Sequence, residues 1–276
     1  MSFAVCVHKT GGPGVLRWEA WDVGVPGAGE VRIRHTAIGV NFIDIYFRRG
    51  LYPADLPFVP GREAAGVVVE VGANVSTVRP GDRVAYAAVQ GSYCEERVIP
   101  AAHLIKLPNE IDDITAAALM LQGMTARYLV RDVYRIKGGE TILVHAAAGG
   151  VGQLLCQWAS ALGAFVIGTV SSDEKAEFAK SRGCSYPIVY TRENFVERVI
   201  KITRGNKVPV VYDSVGKDTF LGSLQCLRPC GLMVVYGQSS GVIPLVEVNL
   251  LARMGSLRLT RPVLSTFTNI FVNKAR

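Results

Sequence analysis

The sequence predicts an α/β protein in two parts, a β-barrel-like domain followed by a doubly wound parallel sheet. Three observations carry this. Up to Leu107 the chain falls into short segments separated by turns such as Gly11-Gly-Pro-Gly14 and Arg79-Pro-Gly-Asp82, the pattern of many short strands. From Ile114 onward strand-like and helical stretches alternate, the order that builds a parallel sheet. Between Thr141 and Ser172 there is no Asp, Glu, Lys or Arg, and His145-Ala-Ala-Ala-Gly-Gly-Val-Gly-Gln153 lies at its centre.

Taken in order, residues 3–7 form the first strand, closed by the Gly11–Gly14 turn. In 31–38, Val31, Ile33 and Ala37 share alternating positions, as a half-buried strand requires. Strands at 66–72 and 83–86 flank the Arg79–Asp82 turn, and 91–98 and 103–107 complete the barrel-like part. Asp113 is placed as the cap of a helix through 116–119. A second helix, from about 124 to 134, carries Tyr128, Leu129 and Val133 toward one side. Six strands follow, at 141–146, 165–170, 186–191, 208–215, 232–237 and 256–261. With helical connections, including one at 153–162, they make one doubly wound sheet.

About 20 apolar residues suffice to span a bilayer, so the charge-free run admits a membrane reading. Its glycines argue against that. A short β-rich segment, a glycine turn, a helix and a second buried strand form the βαβ unit that seats a pyrophosphate on a helix N-terminus. Ala147 stands where the first glycine of G-x-G-x-x-G belongs, with Gly149 and Gly152 in the other two places. Gly149 and Gly150 let backbone approach phosphate, and Gly152 lets helix and strand pack closely.

At the end of the second strand of that unit an acidic residue would accept the ribose 2′-hydroxyl of NAD. This chain has Thr169-Val-Ser-Ser-Asp-Glu-Lys175 instead. The hydroxyls of Ser171 and Ser172, the ammonium of Lys175 and the nearby Tyr190 suit a 2′-phosphate. Asp173 and Glu174 fit the first turn of the next helix. The favoured cofactor is NADPH.

Bulk properties agree. Lys plus Arg number 30 and Asp plus Glu 23, a formal charge of +7 that suits a phosphorylated ligand. The charges are scattered, with Arg48-Arg49 the only adjacent basic pair, so an RNA groove is the weaker reading. Six cysteines without metal-like or disulfide-framework spacing, and no secretory signal pattern, point to a cytoplasmic protein.

The chain resembles the medium-chain dehydrogenase/reductase superfamily and, within it, the zinc-free quinone oxidoreductases related to zeta-crystallin. The resemblance runs from Gly11-Gly-Pro-Gly-Val-Leu16 to Leu259-Thr-Arg-Pro262. It is carried by Gly39-Val-Asn-Phe-Ile-Asp-Ile-Tyr46, Gly50-Leu-Tyr-Pro53, Gly61-Arg-Glu-Ala-Ala-Gly66, the 145–153 turn, Val211-Tyr-Asp-Ser-Val-Gly216 and Gly231-Leu-Met-Val-Val-Tyr-Gly-Gln-Ser-Ser240. It implies a GroES-like catalytic domain (1–122), an NADP-binding Rossmann domain (123–262) and a remnant of a C-terminal return segment (263–276). NADPH is expected between the two domains.

Residue by residue, the resemblance implies that Asn41, Phe42, Ile43 and Tyr46 line the nicotinamide and substrate side. Tyr128 lies on the helix leading into the cofactor domain. Ala148, Gly149, Gly150 and Val151 face the pyrophosphate, and Ser171, Lys175 and Tyr190 hold the adenosine phosphate. Ser214, Tyr236, Ser239 and Ser240 sit at strand C-terminal ends, and Phe267 approaches the nicotinamide. Asn41, Tyr46 and Tyr52 are the catalytic candidates, as hydrogen-bond donors to a quinone oxygen that gains negative charge. His35, His103 and His145 lie in strand patterns and read as structural.

Alcohol dehydrogenases of the superfamily use Cys and His as catalytic zinc ligands. Here the region of Asn41 offers no Cys, Arg62 stands where Gly-His-Glu has His, and the four-cysteine lobe is missing, so no metal is expected. The family continues for several tens of residues past the position of Arg276. The C-terminus is therefore read as truncated, which would leave barrel edges open. The expected reaction is metal-free hydride transfer from NADPH to a quinone. The alternatives are NADPH-dependent reduction of α,β-unsaturated carbonyls and a non-catalytic crystallin-like protein binding nucleotide or RNA. A homodimer through the edge strand 256–261 is expected from the family.

Overall fold

The computed structural model describes residues 2–268. The chain divides into two compact units, Met1–Leu121 and Gln122–Arg276.

In the first unit, β1 (Ser2–Val7) and β2 (Leu16–Trp21) form an antiparallel pair. Next come β3 (Glu30–Ile38), α1 (Phe42–Arg48), β4 (Glu63–Val71), β5 (Arg83–Ala87), β6 (Glu96–Pro100) and β7 (Ile105–Lys106). The last five strands make one antiparallel sheet in the order β6-β3-β4-β5-β7. Alternation puts Val31, Ile33, Ala64, Val68, Val84 and Tyr86 into a common core, as the pleat dictates. The strand expected at 91–98 begins only at Glu96, because Gly91 adopts φ 108° and the backbone around Cys94 bonds to Phe3–Val5 instead. His103 lies in a short 3₁₀ turn, Ala101–His103, and not in a strand.

A single helix, α2 (Asp113–Tyr128), replaces the two expected over 113–134. A π-helical turn, Leu129–Val133, follows it. Gly123 does not break the helix; a mid-helix glycine costs only about 1 kcal/mol relative to alanine, and strong helix formers surround it. The cap is Asp112, which accepts the Thr115 N–H at 2.8 Å. Asp113 instead pairs with Arg83 (2.7 Å) and accepts from the Thr36 hydroxyl (2.6 Å). The division between the units falls within α2.

The second unit alternates β8 (Thr141–Val144), α3 (Gly150–Ala161), β9 (Phe165–Val170), α4 (Asp173–Ser181), β10 (Tyr186–Val189), α5 (Phe195–Ile202), β11 (Val208–Asp213), α6 (Phe220–Cys226), β12 (Leu227–Val235), α7 (Val248–Arg253) and β13 (Arg258–Thr260). The six strands are parallel, in the order β10-β9-β8-β11-β12-β13. That is the order 3-2-1-4-5-6 of a doubly wound dinucleotide fold. One core lies on each face. Leu155, Val166, Val144 and Tyr212 belong to one, and Leu143, Ile167, Val211 and Leu224 to the other. Strands covered on both faces lose the in–out alternation of charge, which accounts for the charge-free run.

The edge strand expected at 256–261 is shorter, since Ser256 turns with φ 55°. No helix among the described residues is long and apolar enough to cross a membrane. Residues 269–276 of the expected C-terminal remnant lie outside the described residues.

Candidate functional site

In the first unit the turn after β3 delivers Asn41, N-cap of α1. Its backbone N–H donates to the Asp44 carboxylate (3.0 Å), and its Nδ2 donates to the Glu63 carboxylate (2.8 Å). Asn41 and Tyr46 are buried, Ile43 is half-buried and Phe42 is half exposed. One turn along α1, Tyr46 meets both Phe42 (5.4 Å between ring centres) and Tyr52 (5.2 Å) edge to face. Phe47 extends the group, meeting Tyr52 at 5.6 Å and carrying the Arg62 guanidinium over its other side at 5.3 Å. The segment after α1 folds back because Leu51 and Tyr52 donate to the Tyr46 carbonyl. Four rings and one amide are thus brought together from a stretch of twelve residues, 41–52.

Three charged side chains support this group from below. Asp44 is buried, accepts from the Tyr93 hydroxyl (2.9 Å), and leaves Oδ1 without a hydrogen-bond partner. Burial pushes its carboxyl up, against the Asn41 and Tyr93 hydrogen bonds and the charge of Arg62. Arg62 also donates to the Ala88 carbonyl. Glu63 is fully buried.

In the second unit, the turn between β8 and α3 has Ala146 at φ 51° and ends on Gly149, the N-cap of α3. Its N-cap, a glycine, has no side chain to offer, and its first turn holds no acidic residue. The N–H groups of the first turn have no intrahelical acceptor, so this terminus presents the positive end of the helix dipole. Ala148, Gly149, Gly150 and Val151 line it. A Cβ on Gly152 would lie 2.1 Å from the Ala146 carbonyl oxygen, so the turn closes this tightly only with glycine there. A Cβ on Gly150 would meet the Gln122 side chain at 2.3 Å.

At the end of β9, Lys175 Nζ donates to Ser171 Oγ (3.0 Å), and the Thr191 hydroxyl donates to the Ser171 carbonyl (3.2 Å). Tyr190 is exposed beside them. Ser172 N-caps α4, accepting from the Lys175 N–H. Asp173 is paired by both Arg192 nitrogens, the Nη1 contact being 2.7 Å, so it leaves little free negative charge here.

Beyond β11 and β12, Asp213 organises the loops. Its carboxylate accepts from Val215 N (2.7 Å), Gly216 N (3.1 Å) and the Thr219 hydroxyl (2.8 Å). Ser214 lies against Gly237, where a Cβ would be 2.6 Å from the Ser214 carbonyl oxygen. Ser239 donates its N–H to that same carbonyl. Ser240 donates its hydroxyl to Val215 O and accepts from Asp218 N, so it shapes the turn first. The Tyr236 hydroxyl is buried without a formed hydrogen bond, and burial raises its pKa against the lowering influence of Ser214. Phe267 stacks face to face on Tyr128 at 4.5 Å and 6°.

Two family models match, "Alcohol dehydrogenase GroES-like domain" over residues 27–132 and "Zinc-binding dehydrogenase" over 150–269. The quinone oxidoreductase of Pseudomonas aeruginosa is 51% identical over 261 residues, 94% of this chain and 80% of the relative. The chain belongs to the quinone oxidoreductase family of the medium-chain dehydrogenase/reductase superfamily. The 2-haloacrylate reductase of a Burkholderia species is 49% identical, over 96% of this chain and 82% of that one. The crystal structure of Escherichia coli quinone oxidoreductase complexed with NADPH superposes with a TM-score of 0.94 at 47% identity, covering 96% of this chain and 82% of the other.

The quinone oxidoreductase fold here does not offer the donor set zinc needs. Among the described residues no three His, Cys, Asp or Glu side chains are grouped to hold a metal. At the Gly-His-Glu position a guanidinium, itself a fixed cation, stands beside Asp44. Two of the three histidines expected to be structural have clear tasks. His145 is buried between the hydroxyls of Thr169 (2.9 Å) and Ser223 (2.8 Å), and His35 bridges the Cys94 carbonyl and the Tyr86 hydroxyl. Sequence reasoning missed Glu63, Gln122, Arg192 and Asp213 as supports. Only Asp213 and Glu63 had a signal, each lying inside a motif that was singled out for other residues.

Proposed function

We propose that this chain is an NADPH-dependent quinone reductase. One observation carries the reading. The α3 N-terminus has glycine as its N-cap, no acidic side chain in its first turn, and Gly152 where a Cβ would strike backbone, a ready-made anion seat. The Ser171–Lys175 pair beside Tyr190 supports a phosphorylated adenosine ribose, and NADPH is bound by a relative at 47% identity. When bound, NADPH supplies a hydride.

The chain's own residues do the rest. In the proposed roles, Ala148, Gly149, Gly150 and Val151 give the pyrophosphate their N–H groups, and Ser171, Lys175 and Tyr190 hold the 2′-phosphate. Ser214, Tyr236, Ser239 and Ser240 border the cofactor at the strand ends, with Tyr128 and Phe267 near the nicotinamide. Phe42, Tyr46 and Tyr52 give a flat acceptor an aromatic wall that Ile43 extends with aliphatic surface, and Asn41, Tyr46 and Tyr52 donate to its oxygen as charge develops. We assign the catalytic domain to 1–122 and the cofactor domain to 123–262. The open outer edge of β13, with Leu259 41% exposed, is the proposed homodimer contact, and six free cysteines suit the reducing cytosol.

The 2-haloacrylate reductase relative supports a second reading, reduction of α,β-unsaturated carbonyls in the same pocket. Steady-state kinetics with benzoquinone, a naphthoquinone, a small enone and 2-chloroacrylate decide between them. Quinones are expected to turn over fastest with NADPH; turnover of the enone or chloroacrylate with none on quinones would transfer the assignment to the second reading.

A further inference from the structure

We infer that Glu63 is a positioning residue that fixes the orientation of the Asn41 amide and, through it, how an acceptor oxygen is received. The inference rests on the proposed role of Asn41 facing the quinone.

Glu63 opens β4 with no exposed surface. A buried carboxylate persists only when hydrogen bonds replace water. Two come from different elements: Asn41 Nδ2 donates to Oε2 (2.8 Å), and the Leu121 backbone N–H of α2 donates to Oε1 (2.6 Å). The backbone joins in, for Gly39 N donates to the Glu63 carbonyl at 3.0 Å. A Cβ on Gly39 would sit 2.5 Å from Glu63 Oε2 and 2.3 Å from the Ala117 carbonyl oxygen. The chain therefore has glycine where the β3–α1 turn is pressed between the carboxylate and α2.

An ionised carboxylate only accepts hydrogen bonds. Facing Glu63, the Asn41 side chain must present its nitrogen, while its oxygen turns to the Asp44 N–H in the capping box of α1; one N–H is left for its other contacts. A glutamine or a protonated Glu63 can also donate, and the amide then loses one of the two contacts that enforce its orientation. The carboxylate's titration is shaped by its surroundings. Burial raises it, Asp44 on α1 raises it further, and the Asn41 and Leu121 hydrogen bonds oppose this. Arg62 and Tyr93 lie around Asp44; α2 contributes the Leu121 N–H and the Ala117 carbonyl, and the neighbouring loop contributes the Ser92 hydroxyl, 3.4 Å from the Glu63 backbone nitrogen.

The test compares wild type, Glu63→Gln, Asn41→Ala and the double variant, with NADPH and a naphthoquinone from pH 5 to 8. Glu63→Gln is expected to lower kcat by about ten- to a hundredfold, leave the NADPH Kd unchanged and remove the fall in kcat at acid pH. In the double variant the loss should be no greater than in Asn41→Ala alone. Wild-type kcat and acid limb in Glu63→Gln, or losses that add in the double variant, overturn the inference. If Glu63→Gln does not fold, the acid limb of Asn41→Ala decides: its absence supports the inference and its persistence overturns it. NMR of the Asn41 side-chain amide reads the same question without turnover. Its resonances should shift with pH in the wild type and in Glu63→Asp be displaced or broadened; resonances indifferent to both overturn the inference. A wild type that reduces no quinone but passes this NMR test fails the functional reading alone.

Discussion

Lys175 shows what one side chain contributes when an acidic neighbour is already paired. Its ammonium rests on Ser171 Oγ, and Asp173 in the first turn of α4 is paired by Arg192. That pairing offsets one of the two acidic side chains, Asp173 and Glu174, that open α4. A 2′-phosphate would receive a charge-assisted hydrogen bond there, and such bonds contribute about 1.5–3 kcal/mol net. Lys175→Glu is thus expected to weaken NADPH binding by roughly ten- to a hundredfold or more while NADH, which has no 2′-phosphate, changes little. Fluorescence titration with both cofactors measures the ratio; equal losses would show that Lys175 does not face the phosphate.

Among the elements, the β8–α3 turn matters most because its backbone leaves no room. Gly152 lies 2.1 Å, in would-be Cβ distance, from a carbonyl oxygen, and backbone cannot swing aside as a side chain tip can. Gly152→Ala should cost roughly 1–3 kcal/mol from overpacking and lower the Tm by several degrees, with NADPH protecting the variant less than wild type in a thermal melt. Unchanged melting and protection would mean that the turn relaxes freely. This turn was legible in the sequence because its signal is local: glycines in register between a β-rich run and a helix. β9 was likewise readable to the residue, 165–170. Helix α2 was not, since Gln122-Gly123 looks like a break until packing on both sides is known. Glu63 illustrates the limit more sharply. Its partners lie 22 and 58 residues away, and no local pattern announces a contact made only when β4, α1 and α2 come together. Arg192 was hidden in the same way, 19 residues from the aspartate it neutralises.

For the whole molecule, stability is tied to the protons that buried groups refuse or retain. Burial, aided by Arg97 and opposed by the Cys94 carbonyl, holds His35 down to about 4 from an ordinary 6.5. His145 is held below 6.5 by burial as well, against the charge of Asp213. Below pH 6.5 an unfolded chain protonates both imidazoles while the folded protein does not, so each withdraws stability as the pH falls, at about 1.4 kcal/mol per pH unit. For His35 that continues to its folded value of about 4, roughly 3 kcal/mol in all. Glu63 and Asp44 act in the opposite sense. Burial raises both, so the folded protein takes up their protons before the unfolded chain does and regains stability as the pH drops through their raised values. The histidines' loss begins at 6.5 and is shared by both units, whereas both carboxylates lie in the first. The second unit, with His145 and no raised carboxylate among the shifts described, is expected to be the more acid-sensitive. The measurement is Tm between pH 7.5 and 4.5 for wild type, His35→Gln and His145→Asn, with hydrogen exchange to assign the losses to each unit. Wild-type Tm should fall below pH 6.5, and each variant should flatten the fall in its own unit. Variants that keep the wild-type slope would place the acid sensitivity on other groups, and a Tm that rises throughout would mean that Glu63 and Asp44 dominate the balance.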